Sequence, residues 1–186
     1  MNISYNNFDM LEIGYGINLR PLAMFANTCY GDDPCDKFMP HMLDRNNFDP
    51  VDEKLAAKMH KAIAIMQFKL EGQRIKAHPE YNLENRLLLH KIDKENGTVE
   101  IEGEVHKLRE CNFPTIDPEN PYELSEEEEQ VMEALSASFL KSEKLQRHIK
   151  FLYSRGALYT IYNGNLLYHG CIPMDDDGDG GGLLDV

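Results

Sequence analysis

"GALYTIYNGNLLYHGCIP" (residues 156–173) is the stretch whose reading decides the fold. "ALYTIYN" and "NLLYHG" are short runs rich in Leu, Ile and Tyr, the composition of half-buried strands, and Gly164 divides them. They read either as one hairpin closed through the Asn163-Gly164-Asn165 turn or as two strands of a sheet whose neighbours lie elsewhere. Two short strands are not stable in water by themselves. The segment therefore asks for a larger partner surface.

Working back from it, most of the chain is helical. Ser125 stands three residues before Glu128, a capping box that opens a long helix running to about Arg155. Glu126 to Glu129 suit the positive end of that helix, and Lys144, Arg147 and Lys150 suit the other end. The acidic run reads as a solvated face. Further back, Val51, Leu55, Met59, Ala62, Met66 and Leu70 recur at three- and four-residue intervals and mark a second long amphipathic helix. Pro79 separates it from a shorter helix in "NLENRLLLHKID". Near the start, Gly14, Gly16 and Pro21 interrupt a helical pattern, so a broken helix is expected there. "GTVEIEGEVHKL" changes the period to two around Glu102-Gly103 and reads as a small hairpin near 98–108. The fold class is thus mainly α with a small β-hairpin and two short strands. The organisation expected is a helical region over 1–155, a strand segment over 156–174 carrying His169, and an acidic Gly-rich tail over 175–186.

With 186 residues the chain is long enough for one domain, and its 42% hydrophobic and 27% charged content is that of a globular protein. A net charge of −13 disfavours nucleic acid and anionic lipid as partners. No apolar run approaches the ~20 residues of a membrane helix, and the polar start has no signal-peptide pattern. Cys29, Cys35, Cys111 and Cys171 are scattered, which favours reduced thiols and a cytoplasmic setting; Cys29 and Cys35 could pair only in an oxidising one.

Two metal readings compete near the C-terminus. Asp175, Asp177, Asp179 and Gly180 match the first half of a calcium loop, but position 12 of that loop is Val186 and no helix follows. An acidic surface turn explains them better. His169 follows an apolar run and precedes Gly170, the place of a transition-metal ligand at a strand end, although spacing alone favours a structural imidazole. His41, His60, His78, His90, His106 and His148 form no HxH or HExxH pattern. Arg20, Lys144, Arg147 and Arg155 are cations that could meet phosphate, although exposed helix charges are far commoner. Cys171, beside the candidate ligand, reads as a packed thiol and not a nucleophile, since no His or Lys partner for it is apparent.

The strings "NNFDMLEIGYGINLRPLAMFA", "AIAIMQFKLEGQ" and "SEKLQRHIKFLYSRGALYTIYNGNLLYHGCIP" occur in one order along nearly the whole chain. In that order they resemble the class 3 fructose-1,6-bisphosphatases, a branch of the calcineurin-like metallophosphatases. The resemblance implies an α/β sandwich with a helical insertion, and gluconeogenic hydrolysis of the 1-phosphate of fructose 1,6-bisphosphate at a two-metal manganese centre. It also implies that His169 is one ligand of that centre, through a neutral imidazole nitrogen. The family's Asp-x-His, GDxxDRG and GNHD motifs precede the part resembled and its late Gly-His element follows; none occurs here. "GDDPCD" (residues 31–36) has one residue too many between its aspartates and reads as a loop. The chain is therefore expected to be a fragment, inactive alone, and able to self-associate through faces a missing domain would cover. The "DDDGDGGGLLDV" tail reads as shortened relative to the family. The alternative is a non-catalytic helical interaction or regulatory module.

Overall fold

In the computed structural model, residues 2–41 and 52–170 are described. They are predominantly helical, with two small antiparallel sheets. The chain divides into two compact units at Ser142/Glu143, the first spanning Met1–Ser142 and the second Glu143–Val186.

The broken N-terminal helix is α1 (Phe8–Tyr15) followed by α2 (Arg20–Cys29). Gly16, at φ +69°, makes the break: only a residue without a Cβ enters that region cheaply, and its N–H bonds the Glu12 carbonyl while Ile17 N–H reaches Leu11. Pro21 then sits in the first turn of α2, where a missing N–H costs nothing. Leu22 and Ala26, with the C-cap Tyr30, bury the inner side of α2, which packs on the helices at residues 53–77 and 126–141.

The central element is α3 (Glu53–Ala77), capped by Asp52, whose side chain accepts from Lys54 N–H at 3.0 Å. It ends ahead of Pro79, which disfavours helical geometry in His78. Its buried residues include Met59, Ala62 and Met66, as the periodicity predicts, but Leu55 and Leu70 are only half-buried. The face that is sealed instead runs through Ala57, Lys61, Ile65, Lys69 and Gly72. Ile65 and Ile75 enter a core with Leu87, Leu89, Phe113, Ile116 and Tyr122. Gly72 is required there: a Cβ would lie 2.0 Å from Tyr122 Cδ1.

The short helix expected in "NLENRLLLHKID" does not form. Three 3₁₀ turns (Pro79–Tyr81, Glu84–Arg86, Leu89–Lys91) take its place. Asn82 is left-handed at φ 52°, and Leu87 and Leu89 are buried on either side of half-buried Leu88. The predicted hairpin is present as β2 (Thr98–Ile101) and β3 (Glu104–Lys107), pairing Val99 with His106 and Ile101 with Glu104 across a Glu102-Gly103 turn with both φ positive. A short β1 (Ile92–Asp93) adds a third strand.

The capping box is complete: Ser125 Oγ accepts from Glu128 N–H and Ser125 N–H donates to Glu128 Oε2 at 2.9 Å. The single helix expected as far as Arg155 is two helices, α4 (Glu126–Lys141) and α5 (Glu143–Arg155). Ser142 leaves helical geometry at ψ 98°, and its hydroxyl donates to the Tyr15 carbonyl at 2.5 Å. A serine whose hydroxyl finds a distant backbone acceptor has less reason to continue a helix.

In the second unit, α5 leads to β4 (Tyr159–Tyr162) and β5 (Asn165–Tyr168). These form the hairpin reading, not two separated strands: Tyr159 pairs with Tyr168 and Ile161 with Leu166. Asn163 and Gly164 turn it, with φ of 49° and 75°. Ile161 and Leu166 occupy one face and Leu167 with Tyr162 the other, and all four are exposed.

Candidate functional site

His169 lies one residue beyond β5, exposed, at the end where the hairpin leaves its turn behind. Among the described residues no group of three His, Cys, Asp or Glu side chains could hold a metal ion. Three other histidines are engaged within the first unit. His60 Nδ1 lies 3.0 Å from the Phe38 carbonyl, His90 Nδ1 lies 2.8 Å from Tyr122 Oη, and His78 Nδ1 lies 2.7 Å from Glu80 Oε1. Arg20 belongs to the first unit, and Lys144, Arg147 and Arg155 to the second; all four are exposed. Cys171 and the calcium-like run Asp175 to Gly180 lie outside the described residues.

The ionic chemistry of the first unit is elsewhere, on the sealed face of α3. Lys61 is fully buried; its Nζ donates to Asp33 Oδ2 at 2.6 Å and lies 3.4 Å from Glu110 Oε2. The rings of Tyr30, Phe38 and Phe113 surround the ammonium at 4.9, 5.8 and 5.5 Å. Asp33 also accepts from Cys35 N–H and from Asn112 Nδ2. Burial alone would raise its pKa, but these donors outweigh that and hold the carboxyl at about 2. The same carboxylate adds to the effect of burial on Cys35, whose thiol is pushed up to about 12. Burial likewise raises the Cys29 thiol. Cys29, Cys35 and Cys111 are free, and the first two are poor nucleophiles in this setting.

Two turns further on, Lys69 Nζ donates at 2.6 Å both to Glu128 Oε2 and to the Thr115 carbonyl, with the two side chains 0% and 1% exposed. The reading of Glu126 to Glu129 as a solvated face therefore fails at Glu128. That residue caps its own helix and neutralises a lysine from another. Neither buried pair was anticipated from the sequence, although a signal exists: Lys61 and Lys69 interrupt the four-residue spacing of Ala57 and Ile65 on an otherwise small and apolar stripe. "GDDPCD" is a loop as expected, and its Asp33 is the buried counter-ion.

Two concavities flank these pairs. One, of about 510 Å³, is a polar cleft including Asp32, Asp33, Glu110 and Asn112. The other, of about 310 Å³, is apolar and lies between α3 and the β1–β2 strands. The buried pairs tie α3 to the 31–36 loop, to the segment after the small sheet and to the start of α4. They hold the first unit together.

A family profile described as "Firmicute fructose-1,6-bisphosphatase" matches residues 1–181. The chain belongs to this family. It is 57% identical over 177 residues to a protein of Clostridium tetani named fructose-1,6-bisphosphatase class 3, covering 95% of this chain and 27% of that protein. A Clostridium botulinum protein of the same name is 56% identical over 178 residues, 96% of this chain and 26% of its own length. One from Alkaliphilus metalliredigens is 54% identical over 175 residues, 94% of this chain and 26% of its own length. The chain thus spans about a quarter of the length of the relatives it matches. No solved structure matches it. No described helix is long and apolar enough to cross a membrane.

Proposed function

We propose that the chain supplies one part of a fructose-1,6-bisphosphatase: a helical insertion over 1–155, and a strand segment over 156–174 that delivers His169 to a metal centre completed by other polypeptide. The observation that carries this reading is the state of the β4–β5 hairpin. Its Ile161, Tyr162, Leu166 and Leu167 are all exposed and occupy both faces. A solvated hairpin would keep its large apolar side chains to one face, whereas this one exposes them on both, with Thr160 and Asn165 beside them on the second, which suits a larger sheet covered on each side. A histidine emerging just past the end of such a strand sits where a layered α/β sheet collects its ligands.

The described residues do not by themselves fit a metal. Protein sites for catalytic zinc and similar ions use three or more side chains, and here one imidazole stands at the strand end. His169 fits as one nitrogen donor of a set, manganese being the ion the family resemblance points to. No hydrolytic step is assigned to this chain. In the complete enzyme a divalent pair would polarise the phosphate of fructose 1,6-bisphosphate, and the role of this part would be to hold His169 on a rigid strand. The free thiols among the described residues suit a cytoplasmic enzyme. The uncovered hairpin faces would drive self-association of the isolated chain.

The test is phosphate release from fructose 1,6-bisphosphate by the 186-residue chain with added manganese. The expected result is no turnover above a metal-only control, and sustained metal-dependent release would refute the division of labour.

A further inference from the structure

The apolar cavity of the first unit is not used by the reading above. We infer that it is a binding site for a small uncharged ring compound of one or two fused rings. Its floor is core: Ile65, Leu89, Phe113 and Tyr122, each at most 9% exposed. Half-exposed Leu88 and Ile101 border it toward solvent. The volume is about 310 Å³, at the lower end of the range of small-molecule sites, and aromatic side chains from separate elements converge on it.

Its chemistry selects against charge and against water. Glu71 and Arg86 are the charged side chains of the lining, and they neutralise one another at 2.9 Å. An anionic or cationic ligand would have to break that pair. The Tyr122 hydroxyl is already engaged with His90 Nδ1. An ordered water needs two to four polar partners, which this lining offers only beside the Glu71–Arg86 pair. A dry void would forgo dispersion contacts along its whole wall. An engineered apolar cavity of roughly 150 Å³ already takes up benzene, so about twice that space suits a bicyclic ring.

Indole is the probe, titrated into the 186-residue chain and followed by two-dimensional NMR and thermal unfolding. Saturable one-site shifts should centre on Ile65, Leu89, Ile101 and Tyr122, with the unfolding midpoint rising as indole is added. Benzoate should bind at least about tenfold more weakly than indole because it carries a charge into a neutral, apolar lining. Leu88→Trp and, independently, Ile101→Trp should fill the space and weaken indole at least about tenfold without lowering the unfolding midpoint. The inference is overturned by shifts that do not saturate, by shifts centred on β4–β5, or by benzoate binding as tightly as indole. It is equally overturned if a folded filled variant binds indole like the parent. The benzoate comparison uses the unaltered chain, so it decides the matter even if neither variant folds.

Discussion

Replacing Lys69 with methionine keeps most of the side-chain volume on α3 and removes the charge that faces Glu128. The carboxylate of Glu128, 1% exposed, would then keep only the Ser125 N–H as a donor to Oε2. Breaking one side of a buried pair of this kind costs about 3–5 kcal/mol, because the abandoned charge stays desolvated. Glu128→Gln removes the counter-charge of Lys69 in the same way, leaving its ammonium only neutral oxygens, the Gln amide and the Thr115 carbonyl at 2.6 Å. Each single variant should therefore lose about 3–5 kcal/mol in urea denaturation followed by circular dichroism, a large share of the 5–15 kcal/mol typical of a domain. In thermal unfolding the loss corresponds to a fall of about 10 °C. The double variant, with no buried charge left unpaired, should cost less than the two singles together by at least about 2 kcal/mol. The reasoning fails if both single variants cost under about 1 kcal/mol and their effects simply add.

Gly72→Ala should destabilise the first unit by about 1–3 kcal/mol despite its better helix propensity, since the added Cβ would lie 2.0 Å from Tyr122; an unchanged denaturation midpoint would contradict this. Asp33 has a folded pKa of about 2 against an ordinary value of 3.8, so its contribution is present above about pH 4 and lost as pH falls toward 2. Asp33→Asn should remove that part of the acid slope in stability measured from pH 5 to 2, and an unaltered slope would sink the assignment. Gly164→Ala places a Cβ at φ +75° and should melt the β4–β5 hairpin by about 1 kcal/mol, seen as loss of cross-strand NOEs between Ile161 and Leu166. Size-exclusion chromatography of the isolated chain should show self-association that diminishes in Ile161→Thr/Leu166→Thr; a monomer at all concentrations would contradict the uncovered-face argument.

Local chemistry made much of the fold legible. Gly16 and Pro21 break a helix wherever they occur in such a run, and the Ser125–Glu128 box and the Asn163-Gly164 turn each act within four residues. What stayed hidden depended on distance. The halt at Ser142 needs the Tyr15 carbonyl, 127 positions away, and the burial of Glu128 needs Lys69, 59 positions away. The leucines at 87–89 read as a helix because short apolar runs carry no period of their own, and tertiary burial of Leu87 and Leu89 decided the matter. His169 was legible as a strand-end histidine from "NLLYHG", and the structure places it there. A ligand role would require further donor side chains beside it, and among the described residues no such group forms.

The most direct measurement of that role is metal content and turnover in a full-length class 3 protein carrying this segment, compared with its variant at the position of His169 changed to alanine. Partners one step removed from a metal already cost 10–100-fold when lost, so removing a ligand should lower fructose 1,6-bisphosphate hydrolysis by at least about 100-fold. Manganese per subunit should fall as well, while circular dichroism stays unchanged. Full metal occupancy and undiminished turnover in that variant would contradict the account.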